Sequence, residues 1–126
     1  KYESRSVILK MDANEASNLF ADNSLCFVYI DAGLSYDLYL EHVEAWWPKV
    51  KPGGILAGHI FAWVQQGGIL EETDAPERVA VDFCEKNSLE MRVVINRPIP
   101  PNADPASFRG SQSWIVMKPA EIISSA

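Results

Sequence analysis

The feature that most constrains the fold is an apolar run of seven residues, Leu25–Asp31 (LCFVYID), in which only the last is charged. A strand with one face in water alternates apolar and polar residues, and this run shows no such alternation. Strands that are apolar throughout are typical of parallel sheets that helices cover on both faces. The run therefore predicts a buried strand in an α/β domain.

The rest of the chain alternates between strand and helix patterns. Short apolar runs predict further strands at Ser6–Met11, Ile55–His59, Glu90–Asn96 and Ser113–Lys118. Helices are predicted over Ala13–Phe20, after an N-cap at Ser35, and after Asp74, where the buried stripe consists of Val79, Ala80, Phe83 and Cys84. This order of elements predicts an α/β fold built on a mostly parallel sheet.

Glycine and proline predict the connections. Lys51–Gly54 is expected to form a turn, and Ile60–Thr73, which contains two adjacent glycines, is expected to be a loop. Only the proline-rich segment Arg97–Gln112 separates the last two strands, so these strands are expected to form an antiparallel hairpin. We expect one domain over residues 1–118, followed by a frayed tail over residues 119–126.

Composition limits the classes of function. The chain has 126 residues, of which 48% are hydrophobic, and this fits one globular domain. Eleven basic and seventeen acidic side chains give a net charge of −6, so binding to nucleic acid is not expected. No apolar run approaches the roughly 20 residues that span a bilayer, so we expect a soluble protein without membrane insertion.

The two cysteines, Cys26 and Cys84, are expected to be reduced thiols in the core. This reading favours an intracellular reducing compartment, and a disulfide between them is the alternative.

Three polar side chains follow predicted strands at the point where each strand ends. They are Asp12, Asp31 and His59. Ligands of open α/β sheets bind outside the carboxyl ends of the strands, so these three residues are the candidate site. A structural alternative exists for each of them: either aspartate could cap a helix, and the histidine could bond a neighbouring backbone group.

The segment Phe27–His59 also carries an ordered set of motifs. They are Ile30-Asp31-Ala32 at a strand exit, Ser35-Tyr36 at a helix start, Trp46-Trp47-Pro48, Lys51-Pro52-Gly53-Gly54 and Gly58-His59. This set resembles the class I S-adenosylmethionine-dependent methyltransferases, and in particular a small-molecule O-methyltransferase-like branch. The resemblance implies a Rossmann-like sheet with a C-terminal antiparallel hairpin, S-adenosylmethionine as cofactor and a small-molecule acceptor.

The same resemblance implies roles for individual residues. Asp12 matches the acidic residue that the family places beside the adenine amino group, and Asp31 is expected to position the methionine moiety or the acceptor. Tyr36 is expected to contact the substrate. His59 is expected to act as a general base, since an ordinary histidine pKa of roughly 6.5 suits proton transfer.

The chain departs from the family pattern in two ways. Its five predicted strands match the third to seventh of the family, so the first two are lacking, and its glycines form no G-x-G-x-x-G turn. Ser6–Met11 is therefore expected to lie apart from the rest of the sheet. Leu34 and Ile60 stand where metal-assisted relatives have a histidine and an aspartate, so no metal is expected.

Three functions remain open. The first is a methyltransferase of which this is the C-terminal half, completed by an N-terminal half or by a protein partner. The second is a catalytically inactive methyltransferase-like structural subunit of a larger assembly. The third, a nucleotide-binding module of Rossmann type, needs a glycine loop that the sequence does not contain. Because an incomplete sheet exposes strand edges, the chain is not expected to be a free monomer.

Overall fold

A four-stranded mixed sheet organises the fold. The computed structural model describes residues 3–33, 35–60, 62–66, 69–95, 101–102 and 112–120. The helices in these ranges are α1 (Ala13–Ser17), α2 (Tyr36–Trp46) and α3 (Ala75–Lys86). The strands are β1 (Leu25–Ile30), β2 (Val50–His59), β3 (Ala62–Gln66), β4 (Ile69–Thr73), β5 (Met91–Ile95) and β6 (Gln112–Met117). None of these helices is long and apolar enough to cross a membrane.

The strand order of the main sheet is β1-β2-β6-β5. β1 and β2 are parallel and are joined through α2, whereas β6 runs antiparallel to both β2 and β5. The predicted α/β class and the antiparallel closure by the last two strands are therefore confirmed. Because β1 and β2 are parallel neighbours, their carboxyl ends lie at the same edge of the sheet.

The core lies between one face of this sheet and helices α2 and α3. The predicted stripe of α3, Val79, Ala80, Phe83 and Cys84, is buried there. At the centre, the Trp114 indole Nε1 donates a hydrogen bond of 2.9 Å to the Tyr39 hydroxyl, and both side chains are almost fully buried. Burial raises the pKa of Tyr39, so its hydroxyl remains protonated. The two groups meet directly above Gly58, which has no side chain to obstruct them.

The opposite face of the sheet is largely bare in the described part of the chain. Phe27 and Tyr29 of β1 are 57% and 43% exposed, and Met117 of β6 is 62% exposed. The prediction that Leu25–Asp31 is buried on both faces is therefore wrong. Helices α2 and α3 cover one face only, and β1 is an edge strand rather than an internal one.

The predicted strand at Ser6–Met11 does not form. The segment has no regular secondary structure, and its Val7 and Ile8 side chains are 83% and 87% exposed. A strand needs a neighbour that bonds its backbone N–H and C=O groups, and the expected separation of this segment from the sheet leaves it without one. The following helix is correspondingly short: α1 ends at Ser17 rather than at Phe20.

The predicted loop at Ile60–Thr73 contains a β-hairpin instead. β3 and β4 pair antiparallel as a separate two-stranded sheet, with Ala62 opposite Thr73 and Gln66 opposite Ile69. Two glycines separate these strands in the sequence, and a two-residue Gly-Gly connection is a hairpin signal. The loop was predicted because Ile60–Thr73 has no strong hydrophobic period, and the Gly-Gly hairpin signal was overlooked.

The predicted turn at Lys51–Gly54 also lies within a strand. It forms an irregular stretch of β2, where the register with β1 shifts between Leu25 and Phe27. Gly53 has a φ of 77° there, a conformation that favours glycine. Most of the predicted loop Arg97–Gln112 and residues 121–126 of the predicted tail lie outside the described residues.

Both cysteines are free, as expected, but only one of them is in the core. Burial raises the pKa of the Cys84 thiol to about 11, whereas Cys26 on β1 is exposed.

Because the thiolate is the reactive form, Cys84 at pH 8 should hold on the order of 100-fold less of it than an ordinary cysteine. In the native protein, we expect N-ethylmaleimide to modify Cys26 at least ~10-fold faster than Cys84. Intact-mass spectrometry with and without denaturant counts the modified cysteines over time. Rapid modification of both cysteines in the native protein would contradict the packing of α3.

Candidate functional site

The carboxyl ends of β1 and β2 bring Asp31 and His59 together. Ile30 lies opposite Gly58 in the parallel pair, so the residue after each leaves the sheet beside the other. His59 Nδ1 is 3.6 Å from Asp31 Oδ1, and the two side chains are 28% and 70% exposed. The sheet thus holds an imidazole and a carboxylate in contact, at an edge that a ligand can reach.

Asp12 lies at the start of α1. Its Oδ1 accepts hydrogen bonds of 2.8 Å from the Asn14 amide and 3.1 Å from the Glu15 amide, so the N-cap alternative is confirmed. The next residue, Ala13, lines the same cavity as Asp31. The start of α1 and the end of β1 therefore meet at one cavity. Asp12 precedes the lining residue Ala13 and is not itself a lining residue.

This cavity has a volume of about 190 Å³. Its walls are mainly apolar side chains of Ala13, Ile30, Ala32 and Trp46, with polar groups from Asp31 and His42. Small and aromatic side chains make up much of these walls, and Asp31, whose side chain is 70% exposed, borders the cavity.

Tyr36 is at the first position of α2, which Ser35 caps as predicted by accepting the Leu38 amide at 3.3 Å. The Tyr36 hydroxyl donates a 2.5 Å hydrogen bond to Asp82 of α3, and this bond raises the pKa of Tyr36. The Arg78 guanidinium lies 5.4 Å from the centre of the tyrosine ring. These contacts tie the ring to α3, and its predicted contact with the substrate stays a prediction.

The sequence reasoning missed His42, a cavity residue of α2. Its side chain is buried, with 4% of the residue exposed. Its Nδ1 lies 2.7 Å from Asn14 Oδ1, which joins α2 to α1. A usable signal was present: His42 follows Tyr39 by three positions and precedes Trp46 by four, so it falls on the inward stripe of the helix.

Ile60 is the residue that the resemblance places where metal-assisted relatives have a carboxylate. It is 1% exposed and belongs to the hydrophobic core. Leu34, the other departure from the metal-assisted pattern, lies outside the described residues. Among the residues that the structure does describe, no group of three His, Cys, Asp or Glu side chains could hold a metal ion.

The strand order and the β1–α2–β2 unit form the Rossmann-like α/β sheet that the sequence predicted, and solved methyltransferases share this fold. The comparisons agree: a family model described as a methyltransferase domain matches residues 1–59. No curated protein sequence matches the chain significantly.

Solved structures share the fold. A Corynebacterium glutamicum protein is 21% identical with a TM-score of 0.55, over 96% of this chain and 51% of its own. A putative DNA modification methylase from Thermus thermophilus, complexed with S-adenosylmethionine, is 16% identical with a TM-score of 0.60, over 91% of this chain and 54% of its own. An S-adenosylmethionine-dependent methyltransferase from Archaeoglobus fulgidus is 12% identical with a TM-score of 0.54, over 90% of this chain and 67% of its own. The chain thus spans about half the length of the first two.

The cavity is too small to enclose a whole molecule of S-adenosylmethionine. Its volume of about 190 Å³ is below the roughly 300–1,000 Å³ of pockets that enclose a drug-sized ligand. The described walls therefore have room for only part of such a ligand. The glycine-rich turn that lets backbone approach the methionine end does not occur in this sequence.

Proposed function

We propose that this chain forms the C-terminal half of an S-adenosylmethionine-dependent methyltransferase domain that acts on a small acceptor. The observation that supports this most is the contact of Asp31 with His59 beside the apolar cavity. In this proposal the apolar cavity holds the ring of the cofactor, and the His59 imidazole at the neighbouring strand exit acts as the base. Asp12 and Asp31 are the cofactor-binding residues of this proposal, and Tyr36 is its substrate contact.

Methyl transfer of this kind depends mainly on positioning. When bound, S-adenosylmethionine supplies an electrophilic methyl group on its sulfonium sulfur. Asp12 and Asp31 would hold the cofactor so that the acceptor oxygen could take up this methyl group and lose its own proton. His59 Nδ1 faces Asp31, so Nε2 is the atom available to take the acceptor proton. The Asp31 carboxylate, 3.6 Å away, then stabilises the imidazolium that results.

The charge of the chain favours a small acceptor over nucleic acid. Solved relatives of the same fold include proteins named as a putative DNA modification methylase and a putative rRNA methylase, at 16% and 10% identity. A net charge of −6 opposes binding to phosphate backbones, since that binding depends on release of counterions by basic side chains. A small, uncharged or cationic acceptor suits the acidic edge at Asp31 better.

An inactive structural subunit is the second candidate, and Ile60 favours it. A hydrocarbon side chain that is 1% exposed stands where metal-assisted relatives place a carboxylate, and it can neither ligate metal nor move a proton. The bare face and unpaired edge of β1 fit either reading, because an N-terminal half or a protein partner would cover both.

We expect the endogenous protein to gain one mass of S-adenosylhomocysteine per domain in native mass spectrometry. This product of the cofactor keeps the ring that the cavity fits and lacks only the transferred methyl group. Uptake of ATP in its place would indicate a nucleotide-binding module. Uptake of neither ligand, together with co-purification of other subunits, would overturn the enzyme proposal in favour of the structural one.

A further inference from the structure

Two hydroxyl groups on the bare face of the sheet, those of Tyr29 and Ser113, have no part in the proposed reaction. Tyr29 belongs to β1 and Ser113 to β6, and β2 lies between these two strands. The two oxygens are 2.8 Å apart, which is a hydrogen bond whichever of them donates the proton. The side chain of Tyr29 therefore reaches across the whole width of β2.

The register shows where this side chain crosses β2. Tyr29 lies opposite Ala57 in the parallel pair, and Ser113 lies opposite His59 in the antiparallel pair. The tyrosine side chain therefore runs diagonally, from the level of Ala57 on one side of β2 to the level of His59 on the other. The burial of Ala57 supports this path: the residue is only 2% exposed, as expected beneath an aromatic ring.

His59 faces the same side of the sheet as these hydroxyl groups. Successive residues of a strand alternate between the two faces, and a Cβ on Gly58 would point at the Tyr39 hydroxyl in the core. His59, the next residue, therefore points to the bare face. Ser113 does so as well, because it precedes the core residue Trp114.

His59 and Ser113 are close neighbours across the two strands. The Ile60 amide donates to the Gln112 carbonyl, so these two residues form a hydrogen-bonded pair of the ladder. Pairs alternate along antiparallel strands, so His59 and Ser113 form a pair without backbone hydrogen bonds, the kind whose side chains approach most closely. Their Cβ atoms are then about 5 Å apart. The hydroxyl end of the Tyr29 ring thus lies beside the imidazole.

Asp31 lies at the strand exit, beyond the imidazole. It follows Tyr29 by two positions, and its Oδ1 is 3.6 Å from His59 Nδ1. The imidazole therefore has the carboxylate toward the strand exit and the aromatic ring toward the body of the strand. Because this ring is anchored at one end by its own backbone and at the other by Ser113, it restricts rotation of the imidazole away from Asp31.

We propose that Tyr29 is a positioning residue for His59: its ring, anchored through the Ser113 hydroxyl, holds the imidazole at the strand exit with Nδ1 toward Asp31. The inference rests on the proposed role of His59 as the base and adds the residue that orients it. Exposed side chains change rotamer within picoseconds to nanoseconds. A base whose side chain is 28% exposed needs such support to keep Nε2 directed at an acceptor.

The test measures the χ1 rotamer of His59 by nuclear magnetic resonance, from the three-bond couplings between its Hα and Hβ protons. Four forms of the full-length protein are compared: wild type, Tyr29→Phe, Ser113→Ala and Tyr36→Phe. The first two substitutions remove the Tyr29–Ser113 hydrogen bond from either side. Tyr36→Phe is the matched control, because it removes a phenolic oxygen whose hydrogen bond goes to Asp82 of α3.

The wild type is expected to show the couplings of a single χ1 rotamer. Tyr29→Phe and Ser113→Ala should both populate a second rotamer, with the equilibrium between the two shifted by ~2- to 10-fold, the worth of one net hydrogen bond. Tyr36→Phe should keep the wild-type couplings. Averaged couplings in the wild type would overturn the inference, and so would wild-type couplings in Tyr29→Phe or in Ser113→Ala.

A measurement on the wild type removes any dependence on how the variants fold. Nuclear Overhauser effects are expected between the ring protons of Tyr29 and the imidazole protons of His59, and their absence would contradict the proposal. These measurements need no ligand. Failure of the wild type to take up S-adenosylhomocysteine would therefore refute the proposed function without bearing on the orientation of His59.

Discussion

Gly58→Ala is expected to lower the free energy of unfolding by about 3 kcal/mol or more, the largest effect on stability that we predict for a single methyl group. The added Cβ would overlap the Tyr39 hydroxyl and lie 2.7 Å from Trp114 Nε1 and 2.9 Å from the Ile30 carbonyl oxygen. Backbone atoms supply one of these contacts, so rotation of side chains alone cannot relieve them. Overpacking costs 1–3 kcal/mol, and separation of the buried hydrogen bond adds a comparable amount. Urea denaturation measures the loss.

A double-mutant cycle provides the control. Tyr39→Phe removes the oxygen nearest to the new methyl group and leaves the Trp114 N–H without its acceptor, so this change alone should cost about 1–3 kcal/mol. In the Tyr39→Phe background, Gly58→Ala should cost measurably less than in the wild type. Additive costs, or a Gly58→Ala protein as stable as the wild type, would show that the Tyr39–Trp114 pair does not lie above Gly58.

Asp31→Ala in the full-length protein is expected to weaken binding of S-adenosylhomocysteine by ~10- to 100-fold, the usual worth of a hydrogen bond to a charged group. Asp31 lies 3.6 Å from His59 and lines the cavity, so its removal should act on a ligand bound there. The side chain is 70% exposed, and the melting temperature should change little. Calorimetric titration and thermal unfolding separate the two quantities.

Two further variants sharpen this result. Asp22→Ala removes another exposed carboxylate, which pairs with Lys49 at 2.8 Å and precedes β1 at the opposite end of the strand, so ligand affinity should be unchanged. His59→Gln should leave ligand affinity near that of the wild type and lower the methyl-transfer rate by ~100-fold, the contribution of a general base. Wild-type affinity in Asp31→Ala would refute the cofactor-binding role of this carboxylate.

Local patterns predicted much of the fold because they depend on few partners. Ser35 caps α2 and the Val79–Cys84 stripe packs as predicted, since capping and helical spacing act within one or two turns. The proximity of Asp31 and His59 was predictable because neighbouring parallel strands have their carboxyl ends at the same edge of the sheet. Ser6–Met11 has strand composition, yet composition does not supply a neighbouring strand to pair with.

The cavity residue that was missed shows the same limit. A histidine on the inward stripe of a helix can be a satisfied core residue or a ligand contact, and the helical period is identical for both. The structure adds Asn14, which lies 28 positions earlier in the sequence and whose Oδ1 is 2.7 Å from His42 Nδ1. That contact depends on how α1 packs against α2, which no local pattern encodes.

The place of β6 in the sheet sets the order in which the chain can fold. This strand comes last among the described strands and lies between β2 and β5, with Trp114 and Val116 in the core. During synthesis β2 therefore emerges more than 50 residues before β6, its partner on the second edge. Trp114, which donates the hydrogen bond to the Tyr39 hydroxyl, follows Tyr39 by 75 positions. Sheets closed by such distant pairings fold slowly and expose strand edges in the meantime. A ribosome that stalls before Gln112 leaves the second edge of β2 without its partner and open to other chains.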